Sequence, residues 1–186
     1  MSYVNQTLIF DPNEIYYSYG DLKFEVMMDW EDSLMSASAA YVCEGGGDIL
    51  EIGFGMGISA GYMHSHSIAS HTIVENHPDV IPKAQEWASN KSNVTIITGS
   101  WYDVKDNLPT YDGIFYDTFG DENMDNFSSS LNNLTKLGTK VTWWNNIPST
   151  NNYYNISEVT YEKINVSPPS NMYFNSTTYY LPKKEF

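Results

Sequence analysis

Apolar residues between Phe24 and Tyr41 recur every three or four positions, which is the helical period. Met27, Trp30 and Leu34 belong to this series. The spacing predicts an amphipathic helix, and the glycine triplet at 45–47 is a typical helix end. The first long helix is therefore expected to begin near residue 24.

The segment before this helix, residues 1–25, is rich in tyrosine and only weakly periodic. Turn formers occupy 11–13 and Gly20. We expect an irregular N-terminal arm or lid rather than a separate domain. Its tyrosines at 16, 17 and 19 are candidates for covering a binding site.

After the glycine triplet, short β-branched runs alternate with helical stretches. The predicted strands are 48–52, 71–75, 93–98, 111–116 and 139–144, and the predicted helices are 58–67, 78–88 and 123–137. Strands that alternate with helices in this way indicate right-handed βαβ units on a parallel sheet.

The last forty residues follow a different pattern. Two β-rich runs, 158–166 and 172–181, are joined by a short segment with no helical pattern. Such a short connection joins antiparallel strands, because a parallel crossover needs a dozen or more residues. We therefore predict one α/β domain over 1–186, a doubly wound, mostly parallel sheet with a C-terminal antiparallel hairpin.

The charge balance narrows the range of partners. The chain carries 23 acidic and nine basic residues, with a formal net charge of -14, and every basic residue is a lysine. Nucleic acids and anionic membranes attract basic surfaces, so neither is an expected partner. No apolar stretch approaches the roughly 18–20 residues that span a bilayer, which also argues against a membrane protein.

The single cysteine, Cys43, cannot form an internal disulfide, and the first residues lack a basic segment followed by an apolar one. We expect a reducing, cytoplasmic setting. His64 and His66 lie two positions apart on a predicted helix and do not share a face, so no metal site is expected. The terminal hairpin and the tyrosine-rich arm could bury surface in a homodimer.

A glycine-rich loop follows the first predicted parallel strand. Gly53, Gly55 and Gly57 lead into a helix, which is the arrangement of a nucleotide site at the carboxyl edge of a sheet. Glu75 ends the next strand, where a carboxylate can accept hydrogen bonds from both ribose hydroxyls. Dinucleotides and S-adenosylmethionine both fit this pattern. Ile58 stands where the dinucleotide pattern needs a small residue, which favours S-adenosylmethionine.

Four ordered blocks resemble a known family. They are Val26–Glu31 with Leu34–Met35, Leu50–Met56, Gly99–Val104 and Tyr111–Phe119. Together they resemble guanidinoacetate N-methyltransferase and the related arginine N-methyltransferase 2 group. The resemblance implies a Rossmann-like methyltransferase fold, S-adenosylmethionine as cofactor with S-adenosylhomocysteine as product, and a small cationic guanidino or amino substrate.

The resemblance also implies roles for individual residues. Glu31 and Asp117 would hold the guanidino group of the substrate. The implied cofactor-binding residues are Met27, Met35, Gly53, Phe54, Gly55, Met56, Gly57, Ile58, Glu75, Asn76, His77, Ser100, Trp101 and Asp117. Met27 and Met35 would pack on the cofactor from the first helix, and Ser100 and Trp101 would flank the adenine.

The chemistry of a guanidinium supports two carboxylates in such a site. A guanidinium is protonated at ordinary pH, so its nitrogen has no free lone pair until a proton leaves. A carboxylate within hydrogen-bond reach can take that proton, and a second can hold the planar group. Two carboxylates also offset the repulsion between guanidinium and sulfonium cations. Asp117, at a strand end, is the candidate proton acceptor and Glu31 the orienting partner.

Several alternatives remain open. The family carries a helix between its fifth and sixth strands, whereas residues 145–157 here are a short polar loop. With no arginine in the chain, a substrate carboxylate could be met only by lysine, hydroxyls or backbone amides. The acceptor could be guanidinoacetate, arginine or another small amine. A binding protein with little turnover and a dinucleotide-dependent oxidoreductase are the other candidate functions.

Overall fold

A computed structural model describes residues 2–151 and 153–186. The N-terminal residues form a three-stranded antiparallel sheet. Its strands are β1 (Ile9–Asp11), β2 (Glu14–Tyr19) and β3 (Leu22–Met28), in that spatial order. The predicted irregular arm is therefore wrong, because the turn formers at 11–13 and Gly20 belong to two hairpin turns. Gly20 has a positive φ of 60°, as a tight turn requires.

The first helix begins later than its apolar spacing predicts. β3 runs to Met28, a single 3-10 turn covers Asp29–Glu31, and α1 spans Asp32–Val42. Met27 pairs with Ile15 of β2, so it lies on a strand and not on the helix. The helical spacing from residue 24 is wrong because it spans a junction between strand and helix.

The remaining elements are the strands of the main sheet and the helices that connect them. In chain order they are β4 (Asp48–Ile52), α2 (Ile58–Ser65), β5 (Ser70–Glu75), α3 (Ile81–Ala88), β6 (Val94–Thr98), α4 (Trp101–Val104), β7 (Tyr111–Tyr116), α5 (Phe127–Leu134), β8 (Thr135–Trp143), β9 (Thr160–Asn165) and β10 (Thr178–Glu185). The short helix α4 was not expected from the sequence. In the described residues, no helix has the length and apolar character needed to cross a bilayer.

The main sheet has the strand order β6-β5-β4-β7-β8-β10-β9. The first five strands are parallel, and β10 is antiparallel to both of its neighbours. The predicted doubly wound sheet with a C-terminal hairpin is confirmed. The last strand begins at Thr178, later than predicted, and the residues before it form a loop that reaches the candidate site.

Strand β4 lies at the centre of the sheet and separates two apolar layers. Ile49 packs with Ala39 and Val42 of α1, whereas Leu50 packs on the opposite face with Leu131 of α5. The direction of winding changes between β4 and β7, and ligands of doubly wound sheets bind in the crevice outside such a switch point. The carboxyl ends of β4, β5 and β7 meet at this crevice.

Candidate active site

A cavity of about 330 Å³ opens at the carboxyl ends of the parallel strands. Its walls come from the loops after β4, β5, β7 and β8, from the N-terminal segment and from the loop before β10. Residues as distant in the chain as Tyr3 and Tyr173 line it. The cavity is therefore a product of the whole tertiary structure.

Two glycines of the loop after β4, Gly53 and Gly55, stand where a side chain would be strained and crowded. Gly53 has φ +94°, and a Cβ there would lie 1.9 Å from the carbonyl oxygen of Asp117. Gly55 has φ +53°, and a Cβ there would lie 2.5 Å from Sδ of Met27. Only glycine combines these backbone angles with such close approach. At these two positions the loop thus presents bare backbone to the cavity.

Glu75 ties this loop to the end of β5. Its Oε2 accepts a hydrogen bond from the backbone N–H of Phe54 at 2.8 Å. Its Oε1 accepts bonds from the backbone N–H groups of Asn76 and His77, each at 2.8 Å. The side chain also lines the cavity. Glu75 is therefore fixed in position at the expected strand end.

Glu31 is buried beside the cavity, with a residue exposure of 3%. Its Oε1 accepts hydrogen bonds from the backbone N–H of Met28 at 2.9 Å and from the Tyr173 hydroxyl at 2.5 Å. Among the described residues, the hydrogen bonds to this carboxylate all reach Oε1. The second oxygen is thus available to a ligand while the side chain is held by the first.

Asp117 follows β7 and lines the same cavity. Within 2–151 and 153–186, no hydrogen bond reaches its carboxylate. Burial, together with the charges of Glu51 and Glu75, raises the pKa of Asp117. Burial and the Asp117 charge likewise raise the pKa of Glu31, although hydrogen bonds from Tyr173 and Met28 oppose the shift. Both carboxylates line one cavity, and none of the described residues that line it is a cation, so the site favours a bound cation.

The raised pKa of Glu31 predicts a pH-dependent stability. The folded carboxyl holds its proton above the ordinary Glu pKa of about 4.3, so the folded state binds more protons than the unfolded state as the pH rises. The free energy of unfolding should therefore fall above about pH 4.3. As the pH rises from about 5 to about 8, the Tm of Glu31→Gln without ligand should fall less than the Tm of the parent. The exposed Glu86→Gln variant should follow the parent, and parallel Tm curves for parent and Glu31→Gln would contradict this expectation.

Trp144 and Tyr173 line the cavity beside Glu31 and form what we call the aromatic wall. Trp144 lies edge-on to Tyr173, with ring centroids 6.1 Å apart, and Trp30 stacks on Tyr173 at 6.1 Å. Tyr154 lines another part of the cavity. Aromatic faces attract cations, most strongly where water is excluded. The wall therefore complements the two carboxylates in favouring a cationic group.

Asp121 organises the part of the cavity near Trp101. Its Oδ2 accepts bonds at 2.5 Å from the Trp101 indole N–H and the Tyr116 hydroxyl, and its Oδ1 accepts one from the backbone N–H of Asn123 at 2.8 Å. Sequence reasoning did not identify Asp121, Tyr154, Trp144 or Tyr173. Tyr173 and Glu31 are 142 positions apart, so no local pattern could have joined them.

The structure brings most of the predicted site residues to one cavity. Those that line it are Met27, Glu31, Gly53, Phe54, Gly55, Glu75, Asn76, Trp101 and Asp117. Those outside its lining are Met35, Met56, Gly57, Ile58, His77 and Ser100. Met35 is in the apolar core, and His77 is fully buried with its ring 4.6 Å from Tyr3. The roles assigned to these residues stay predictions.

The tyrosines proposed as a lid lie elsewhere. Tyr16, Tyr17 and Tyr19 are on β2 and are not among the lining residues. Tyr17 stacks on Phe24 with centroids 5.2 Å apart. The N-terminal tyrosine at the cavity is Tyr3, whose ring lies 5.0 Å from that of Phe119.

The sequence model of the guanidinoacetate N-methyltransferase family matches residues 15–141. The chain belongs to this family. The match covers β2 to β8 and includes both carboxylates and the glycine loop. The expected resemblance is thereby confirmed.

Curated relatives carry a related name. Protein arginine N-methyltransferase 2 of Yarrowia lipolytica is 38% identical over 112 residues, which cover 54% of this chain and 23% of that protein. The Saccharomyces cerevisiae protein of the same name is 37% identical over 111 residues, covering 54% of this chain and 27% of that protein. The chain thus matches about a quarter of the length of these relatives.

Solved structures support the fold. Spermidine synthase from Thermotoga maritima has a TM-score of 0.67 at 11% identity, covering 96% of this chain and 72% of that one. Precorrin-6y C5,15-methyltransferase from Geobacter metallireducens has a TM-score of 0.59 at 11% identity, covering 90% and 91%. At such low identity the likeness concerns the fold alone, and it confirms the Rossmann-like methyltransferase architecture.

Proposed function

We propose that this chain is an S-adenosylmethionine-dependent N-methyltransferase that acts on a guanidino group. The observation that carries the proposal is the convergence of Glu31 and Asp117 at one cavity beside the glycine loop, in a chain of this family. Two buried carboxylates, with no cation among the described residues of the lining, suit a substrate that is itself a cation. The names of the relatives, which specify arginine, support a guanidino acceptor.

The residues present fit S-adenosylmethionine. Gly53 and Gly55 keep the loop bare where a Cβ would clash, and Glu75 stands at the end of β5 for the ribose hydroxyls. Trp101 offers an apolar face near the position expected for the adenine. When bound, S-adenosylmethionine supplies an electrophilic methyl group and leaves as S-adenosylhomocysteine.

The protein's own groups would prepare the acceptor nitrogen. Asp117 would take a proton from the guanidinium, and its raised pKa makes it a better base than an ordinary carboxylate. Glu31 would hold the planar group through the oxygen that Met28 and Tyr173 leave free. The aromatic wall would exclude water, which strengthens both charge interactions.

Glu75→Gln should weaken binding of S-adenosylhomocysteine by about ten- to a hundredfold, because losing a charge-assisted hydrogen bond costs roughly 1.5–3 kcal/mol. The glutamine amide would also place an NH₂ group against backbone N–H groups from which the Glu75 carboxylate now accepts hydrogen bonds. Isothermal titration calorimetry measures the change. The exposed Glu86→Gln variant serves as the matched control, and an unchanged Kd for Glu75→Gln would remove Glu75 from the site.

The proposal is tested by titrating the protein with S-adenosylhomocysteine and, separately, with NAD. We expect binding of the former and none of the latter. Failure to bind S-adenosylhomocysteine would overturn the proposal, and binding of NAD alone would favour the oxidoreductase. Incubation with labelled S-adenosylmethionine and guanidino compounds then separates an enzyme from a binding protein without turnover.

A further inference from the structure

The charged side chains among the described residues that line the cavity are all acidic. Four carboxylates line it, from Glu31, Glu75, Asp117 and Asp121. No lysine lines the cavity in the described residues, and the chain contains no arginine. A substrate that enters this cavity therefore meets negative charge without a positive partner among those lining groups.

Eight of the nine lysines contact groups away from the cavity, and the ninth, Lys163, is exposed on β9 outside the cavity lining. Lys23, Lys105, Lys136, Lys140, Lys183 and Lys184 each form an ion pair with a carboxylate that does not line the cavity. Lys83 lies over the ring of Phe10, with its Nζ 4.2 Å from the centroid, and Lys91 donates to the carbonyl oxygen of Trp87. A substrate carboxylate in the cavity therefore meets none of these ammonium groups where they now lie.

Two polar residues of the lining, Asn145 and Tyr153, already make hydrogen bonds within the protein. The side-chain amide of Asn145 donates to the carbonyl oxygens of Ser149 at 3.1 Å and Tyr180 at 2.8 Å. Its backbone N–H donates to the Tyr179 hydroxyl at 2.8 Å. The hydroxyl of Tyr153 donates to Asp125 at 2.8 Å. Trp144, Tyr154 and Tyr173 add aromatic surface to the same lining.

We infer that the methyl acceptor is a guanidinium or amine cation whose other end is uncharged, and that the site discriminates against guanidinoacetate. The inference rests on the proposed function and concerns its substrate. A carboxylate near the guanidinium would be desolvated beside Glu31 and Asp117, and none of the described lining residues is a cation that could pair with it. An uncharged end would instead pack on the aromatic wall.

Guanidinoacetate and guanidinoacetamide form a matched pair for the test, because they have nearly the same shape and differ in the distal charge. Calorimetry on the protein saturated with S-adenosylhomocysteine should give a Kd at least about tenfold lower for the amide. Methylation with the labelled donor should follow the same order. N-acetylarginine amide, as a third compound, distinguishes a free small guanidine from an arginine side chain as the source of the cation.

A charge-gain variant tests the cause of the preference. Asn146 lines the cavity and is exposed, so Asn146→Lys would supply the absent cation. The ratio of affinities should then move at least severalfold toward guanidinoacetate. Thr150→Lys adds the same charge in the same loop but outside the cavity lining, and it should keep the parent ratio.

The outcomes separate the two proposals. No binding of S-adenosylhomocysteine would overturn the proposed function itself. Binding of S-adenosylhomocysteine with equal or stronger binding of guanidinoacetate would overturn only the inference on the acceptor. Binding of S-adenosylhomocysteine but of none of the three guanidino compounds would overturn both the inference and the guanidino acceptor of the proposed function. An amide preference that Asn146→Lys and Thr150→Lys leave equally unchanged would also overturn it, because the missing cation would not be its cause.

Discussion

Asp117→Asn should lower kcat for methyl transfer by about a hundred- to ten-thousandfold, the range typical of a lost general base. Asparagine has nearly the same shape as aspartate but cannot take a proton from a guanidinium. The affinity for S-adenosylhomocysteine should stay within a few-fold of the parent, because Glu75 and the glycine loop are untouched. Labelled methyl transfer and calorimetry on the same preparation measure both quantities.

A matched control for this substitution is Asp103→Asn, an exposed aspartate on α4 outside the cavity lining. It removes the same charge and should leave kcat unchanged. Undiminished methyl transfer by Asp117→Asn would exclude Asp117 as the proton acceptor. A loss of S-adenosylhomocysteine binding as large as the loss of activity would instead give Asp117 a role in binding alone.

Gly53→Ala should destabilise the protein by about 3–5 kcal/mol, because overpacking and backbone strain act together. The added Cβ would lie 1.9 Å from the carbonyl oxygen of Asp117, and φ is +94°. For a chain of this size each kcal/mol lowers Tm by roughly 2–4 °C, so the loss is easily measured by thermal unfolding. Any folded fraction should also bind S-adenosylhomocysteine poorly, because relieving the clash displaces the loop.

Gly20→Ala isolates the backbone contribution. Gly20 also has a positive φ, +60°, but a Cβ there meets nothing within 4 Å. Its cost should be only about 1–2 kcal/mol, that of a left-handed conformation. Equal losses for the two variants would mean that contact with Asp117 contributes little at Gly53.

The part of the site that sequence predicts well is local. The strand that ends at Ile52, the glycines after it and the acid that ends the next strand lie within a short stretch of chain, and parallel strands bring such ends to one edge. Asp117 is predicted for the same reason, since it follows a strand paired with β4. Periodicity and turn chemistry suffice for these residues.

The errors arise where distant segments decide the structure. Phe24 and Met27 lie on a strand because β2 pairs with them, although their spacing continues into a helix. The aromatic wall depends on a loop of the C-terminal hairpin, and no local period signals that Tyr173 meets Glu31. Tertiary pairing overrides local propensity in the first case and is invisible to it in the second.

The span of the cavity along the chain has a consequence for protein synthesis. All five parallel strands precede residue 144. The glycine loop, Glu75 and Asp117 are therefore translated before the C-terminal hairpin. Glu31, however, lacks its hydroxyl partner until Tyr173 has been added. A nascent or prematurely terminated chain that stops before Tyr173 has the glycine loop and Glu31 but lacks this hydrogen bond. The hydrogen bond that fixes one oxygen of Glu31 therefore forms only after the whole parallel sheet has been synthesised.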